Sequence, residues 1–283
     1  MRELLTREPR KRAVRGVKGS RTSEEVRYRR ELFNIVGMIE TAISGELLPA
    51  IKSRESEFKT DGELTDLTNI LRNTRARFGD LESLGTMIAN RHAMGVNVMQ
   101  SKRFNNLISR GMGIDLPTTL TPKIATALES SVVKNVSLIK SIPEQHFSKI
   151  EQLIHENVTK GRTGGSLIAD IKKLNGSTKK KAKLIARDQT AKLVSNLNKE
   201  RQQQAGVVGY QWRNSQDGRV RGNPSGLYPK SKFDHWKREG QYFLWENTKN
   251  PPMDPNGKPF RQPPADGHAG DAILCRCTAD PVI

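Results

Sequence analysis

Four side chains with metal-donor chemistry, His235, His268, Cys275 and Cys277, fall in the C-terminal run from Gly209 to Ile283. They match in number and kind the donors of one tetrahedral zinc. The single residue between Cys275 and Cys277 makes joint chelation tighter than a Cys-x-x-Cys would, and the histidines are distant in sequence, so the fold would have to build the site. The alternative places both thiols in a small apolar core, with the histidines hydrogen-bonded to turns. The residues admit zinc without requiring it.

Around these donors lie groups suited to holding a small module together. Asp217 can accept from backbone N–H groups and from an arginine in one network. Arg219, Arg221 and Arg276 are the candidate donors, with Arg276 free to reach Asp217 or Asp271. Trp212, Trp236, Phe243 and Trp245 supply a small hydrophobic centre, which a module of this size needs. Asp217, Asp234, His235 and His268 could also serve a metal-dependent nuclease. However, the chain has no His-x-x-x-His helix, paired-carboxylate motif or Gly-x-Ser-x-Gly elbow. The residues read as structural, and the chain as no enzyme.

The elements that must position this run are helical in pattern. The chain has 283 residues, 5% aromatic and 35% hydrophobic, with a mean hydropathy of -0.64. Its formal net charge is +18, which favours a polyanionic partner such as DNA, RNA or an acidic protein face. No run approaches the roughly 18 apolar residues that cross a bilayer. The N-terminus lacks the apolar stretch of a secretory signal, and the two cysteines suit a reducing compartment. Synthesis and use in the cytoplasm follow as an expectation.

Residues 1–30 carry eleven Lys/Arg against four acids and read as a basic flexible arm. A helix opens near Thr22 and carries Leu32, Val36, Ile39, Ile43 and Leu47 on one stripe; Pro49 ends or kinks it. One longer helix follows Asp61-Gly62, with Leu64, Leu67, Leu71, Phe78, Leu81 and Ile88 on a seam. Met87, Met94, Met99 and Phe104 read as core packing. Gly111 to Pro117 forms a linker. Thr121-Pro122 opens a helix to about Ser141, and Pro143 opens another that stops at Gly161. Arg162 to Gly165 is a capping turn rather than a phosphate loop. A short helix spans 166–174. The next runs from Ser177 to Gly206, with eight Lys/Arg against two acids between Ser177 and Arg201 and an Asp188–Lys192 pair. Its basic face could lie along DNA, rest on an acidic partner, or be solvated. Short strands are expected near 207–213 and 272–282. The predicted fold is mainly α with a small C-terminal α+β module, divided as 1–30, 31–117, 118–206 and 207–283.

Ala186-Arg187-Asp188-Gln189-Thr190, then Asn198 to Gln204, then GVVGYQWRNSQDGRVR resemble the phage head-morphogenesis family, the minor head proteins similar to protein F of phage Mu. The pattern continues through His235, Gly240, Phe243 and Trp245, and closes on Pro263-Pro264, Gly267-His268, Gly270 and Cys275-Arg276-Cys277, over roughly residues 120–283. Many relatives carry a Cys-x-x-Cys after the position of Asp217. Here that place reads Gly218-Arg219-Val220-Arg221, and Gly222 to Phe233 is inserted before His235. The resemblance implies a minor capsid protein in the phage head, assembled in the host cytoplasm. Its implied partners are the portal protein and other procapsid proteins, with double-stranded DNA as a further contact and no membrane or small-molecule substrate. A metal-dependent nuclease and a plain basic DNA-binding protein are the alternatives.

Overall fold

A computed structural model describes residues 22–53, 61–113 and 120–282. Six α-helices precede three short strands: α1 Thr22–Ala42, α2 Leu48–Lys52, α3 Asp61–Ala76, α4 Glu82–Met112, α5 Pro122–Thr159, α6 Gly164–Gln204, β1 Gly209–Arg213, β2 Tyr242–Leu244 and β3 Thr278–Pro281. The fold is mainly α with a small C-terminal sheet, as the sequence predicts. Most of the expected basic arm lies outside the described residues, while 22–30 already belong to α1.

The chain forms two compact units. Among the described residues, one comprises 25–92 and 132–187, and the other 22–24, 93–131 and 188–282. The sequence division is serial, whereas these units interleave, with α4, α5 and α6 contributing to both.

The first unit is a helical core. Leu32, Val36, Ile39, Ile43 and Leu47 are all buried, as the stripe predicts. They pack with Leu67 and Leu71 of α3, Ile139, Phe147 and Ile150 of α5, and Leu167 and Ile171 of α6. Pro49 does not break this stripe. A π-helical turn at Ile43–Leu47 adjusts the register first, and Pro49 then sits in the first turn of α2, where its missing N–H costs least.

Three other expected boundaries differ. The helix read onward from Asp61 is interrupted at 77–81, separating α3 from α4. The break expected at Pro143 is absent, because α5 runs through it. Ile139, Ile142 and Phe147 are buried on both sides of the proline, and this packing offsets the lost backbone hydrogen bond. The break expected at Asn175-Gly176 is likewise absent. A mid-helix glycine costs only about 1 kcal/mol, and Ile171 and Ala182 are buried on either side of it. The stops at Gly161 and Gly206 and the caps from Thr121 and Thr163 are formed. Met87 and Met94, read as core, are exposed.

Two buried histidines belong to the first unit. His92 stacks on Tyr28 with ring centroids 4.1 Å apart, and the Tyr28 hydroxyl donates to Asn135 Oδ1 at 2.6 Å. His146 Nδ1 lies 2.8 Å from Thr178 Oγ1.

In the second unit, β1 is the middle strand and pairs antiparallel with β2 and β3. The strands expected near 207–213 and 272–282 correspond to β1 and β3. β2 was not anticipated; three residues are too few to show alternation. Phe104 and Ile108 of α4 pack with Ala205 and Val207 after α6. Arg201 of α6 is buried and donates to Asn97 Oδ1 at 2.6 Å and Ser101 Oγ at 3.0 Å. Burial lowers its pKa to about 10.

The histidines make the first unit sensitive to acid. Burial, reinforced by Arg27, lowers the His92 pKa from 6.5 to about 3. Burial, opposed by Glu40, lowers that of His146 to about 4. Between these values and 6.5 the unfolded chain binds more protons than the folded one. Stability is therefore full above pH 6.5 and falls as pH drops toward 4, by on the order of a few kcal/mol. Urea midpoints at pH 7.5 and 4.5 should show this fall, and a His92→Gln, His146→Gln double variant should lose most of it.

Candidate functional site

The terminal module is fastened to the last turns of α6 by polar side chains. Asp188 Oδ1 accepts from the Leu274 N–H at 2.8 Å. Ser195 Oγ donates to the Ala269 carbonyl at 2.7 Å. The side-chain amides of Asn198 and Gln202 both donate to the Ala279 carbonyl at 2.9 Å, and Gln202 Oε1 accepts from the Trp245 indole at 3.1 Å. At about 100° per residue these four positions share one arc of the helix. Leu274 is a non-glycine residue with φ 56, a conformation that persists only where its surroundings hold it. Asp188 supplies that hold one residue before Cys275, while its other oxygen pairs with Lys192 at 2.7 Å.

Behind this seam lies the module's core. Tyr210 and Trp212, two apart on β1, point to one face and are fully buried. They cluster with Phe243, Trp245, Ala269, Cys275, Cys277 and Ala279. Tyr210 and Trp245 have ring centroids 4.3 Å apart. Trp236, expected in this centre, is only half-buried and outside the cluster, while Tyr210 was not anticipated.

His235, Cys275 and Cys277 come together. One donor atom from each lies within 4.8 Å of the others, and all three residues are buried. His235 Nδ1 is 3.5 Å from Cys275 Sγ and 3.7 Å from Cys277 Sγ. Its Nε2 lies 2.9 Å from Asp266 Oδ2, so the Nε2–H donates to the carboxylate and Nδ1 turns its lone pair toward the sulfurs. Arg238 donates to the other Asp266 oxygen at 2.6 Å and lies over Trp212, 4.9 Å from the ring centroid. Trp212 meets the His235 ring edge-on at 5.2 Å. Burial raises the Asp266 carboxyl pKa, but hydrogen bonds from Arg238 and His235 outweigh it and hold the group below its ordinary value. The Cys275 thiol is held well below its usual value, first by its hydrogen bond with Cys277, then by His235, against the opposing effect of burial.

His268 lies outside this group. Its Nδ1 is 3.1 Å from the Tyr210 hydroxyl, its backbone N–H donates to Asp271 at 2.8 Å, and its ring packs on Trp245. Burial, with Lys199 adding, lowers its pKa. Asp266 was missed as a partner because nothing in the Pro-Pro-Ala-Asp run marks it as facing a histidine 31 residues earlier. Ser195 and Gln202 follow Asp188 at intervals of seven, a spacing that also fits a solvated polar stripe.

Of the three candidate arginines, only Arg276 brings its guanidinium to Asp217 among the described residues. Arg276 pairs with Asp217, whose Oδ1 also accepts from the Arg219 N–H at 2.9 Å. The Arg221 guanidinium donates to the Ile273 carbonyl at 3.1 Å.

The family model described as Phage Mu protein F like protein matches residues 148–280. Residues 148–280 are thus similar to the phage Mu protein F-like family. It holds the last third of α5, all of α6, β1, β2, all of β3 but Pro281, and every residue of the His–Cys–Cys group. The match begins later than the roughly 120 read from sequence. An uncharacterized protein of Haemophilus influenzae is 33% identical over 174 residues, which cover 60% of this chain and 33% of the relative. The chain thus spans about a third of that relative's length. No solved structure matches.

Within this segment, Gly270 lies where the loop meets α6. It has φ 99, and an added Cβ would stand 2.8 Å from both Cβ and Oγ of Ser195. Gly257 has φ 74 with nothing within 4 Å. Gly257→Ala should therefore cost about 1 kcal/mol of backbone strain, whereas Gly270→Ala should add a clash and the loss of the Ser195 contacts. Denaturant midpoints should separate the two variants, with Gly270→Ala clearly the lower.

Proposed function

We propose that this chain is a minor head protein of a tailed bacteriophage, acting in head morphogenesis by binding portal and other procapsid proteins. The observation that carries this reading is the family match over a segment containing all but the last residues of the terminal module. The proposed site of action is the phage head, assembled in the host cytoplasm. Among the described residues no helix is long and apolar enough to cross a membrane.

We read the chain as a docking component without catalytic turnover. The groups a nuclease would use are committed elsewhere. Asp217 holds Arg276 and its own turn. Asp234 accepts from the Lys237 N–H at 2.9 Å. His235 is buried against Asp266, and His268 is bonded to Tyr210. These residues converge on no shared reacting position, which supports a structural role.

Contact with packaged double-stranded DNA is an accessory part of this reading. The basic run on α6 is partly used within the units. Lys179 pairs with Glu40, Lys192 with Asp188, and Arg201 is buried. Lys172, Lys173, Lys180 and Lys183 remain exposed and are the α6 cations available to phosphate.

Purified heads and procapsids test the proposal. The chain should co-sediment with procapsids and appear in heads by mass spectrometry. Its DNA binding should weaken steeply with salt, and a Lys172, Lys173, Lys180, Lys183→Gln variant should flatten that dependence while retaining head association. Absence from heads would overturn the assembly role. Metal-dependent plasmid nicking that disappears in His235→Ala would overturn the non-catalytic reading.

A further inference from the structure

The geometry points to a zinc site formed by His235 Nδ1, Cys275 Sγ and Cys277 Sγ, with Asp266 as the outer group that orients the imidazole and a water as fourth ligand. Zinc holds sulfur at about 2.3 Å and imidazole nitrogen at about 2.0–2.1 Å. In a tetrahedron those lengths put nitrogen and sulfur about 3.5 Å apart. The two nitrogen–sulfur separations here are 3.5 and 3.7 Å, so the nitrogen–sulfur pairs already stand near the spacing a metal would impose, with all three donor atoms within 4.8 Å of one another.

The direction of the imidazole fits the same assignment. With Nε2–H donating to Asp266, Nδ1 presents a single lone pair. Both sulfurs lie within 3.7 Å of it. A cation between the three atoms engages both sulfurs and the lone pair together. The Asp266–His235 contact also has the form by which metal-binding histidines are fixed in tautomer and ring orientation. Arg238 in turn fixes Asp266 from its other oxygen.

Charge and access agree with this assignment. On binding, each thiol gives up its proton to solvent. Two thiolates and a neutral imidazole then balance the dication, leaving a neutral inner sphere suited to residues only 2%, 8% and 6% exposed. The Asp266 charge is met by Arg238. A cavity of about 100 Å³ borders Cys275 and Cys277 but not His235, so a fourth-ligand water would approach from the side of the sulfurs. Burial keeps substrates away, so the metal acts as a staple joining the 266–277 loop to the segment carrying His235. His268 takes no part.

The test uses the full chain with both thiols reduced. Metal analysis after purification should give one zinc per chain. Replacement with cobalt should give thiolate-to-cobalt charge-transfer absorption with tetrahedral d–d bands. Cys277→Ser should abolish the charge-transfer signature or leave one thiolate's share. Asp266→Asn should weaken cobalt affinity ten- to a hundredfold while keeping one equivalent, and His268→Gln should leave affinity within about twofold. Circular dichroism checks that each variant retains its helices. A reduced wild-type chain that binds neither zinc nor cobalt overturns the site. A loss in His268→Gln equal to that in His235→Gln overturns the three-residue donor set.

Discussion

The arrangement of the second unit depends on one helix edge bonding to the backbone of an irregular loop. A segment with as little regular structure as 245–277 carries many peptide groups that no sheet or helix satisfies, and each buried one must find a partner. Asp188, Ser195, Asn198 and Gln202 provide partners from a long helix. A typical hydrogen bond contributes about 1 kcal/mol net, and one to a charged acceptor about 1.5–3 kcal/mol. Losing several together is large against a total stability of about 5–15 kcal/mol. The polar side chains of α6 thus decide where the loop runs, and the apolar cluster fills in behind them.

Several consequences follow at the residue level. Leu274 adopts a left-handed backbone because Asp188 holds its N–H, and that turn carries Cys275 and Cys277 into the core together. Gln202 serves two partners, receiving the Trp245 indole proton and donating to the Ala279 carbonyl. One side chain therefore sets the positions of the residue just after β2 and of a residue in β3. The Arg276–Asp217 pair faces away from the buried thiols, so the alternation through Cys275, Arg276 and Cys277 sorts sulfur inward and charge outward without a formal strand.

Legibility in the sequence followed the range of the physics. The α1 stripe, the Thr121 and Thr163 caps, the stops at Gly161 and Gly206, and the Asp188–Lys192 pair depend on neighbours within about one helical turn, and all were readable. Pro143 and Asn175-Gly176 were misread because their local cost is real but is outweighed by side chains packed from elsewhere in the chain. β2 is too short to carry a pattern. In the site, His235, Cys275 and Cys277 were identifiable by donor chemistry, whereas the choice of Asp266 over His268 as the fourth participant was not. That choice rests on which way an imidazole turns inside a loop with no periodicity.

The charge of the chain illustrates the same division between composition and placement. A net charge of +18 suggests a continuous basic surface, yet cations on α6 have different roles. Lys179 and Lys192 hold internal carboxylates, and Arg201 is buried where, among the described residues, its guanidinium meets the neutral acceptors of Asn97 and Ser101. A buried cation without a carboxylate gains less Coulomb energy than an ion pair, but its planar donors can bind a helix backbone and two side chains at once. Arg201 therefore acts as a positioning element between α4 and α6. On α6, the cations not engaged within the units are thus fewer than its composition implies.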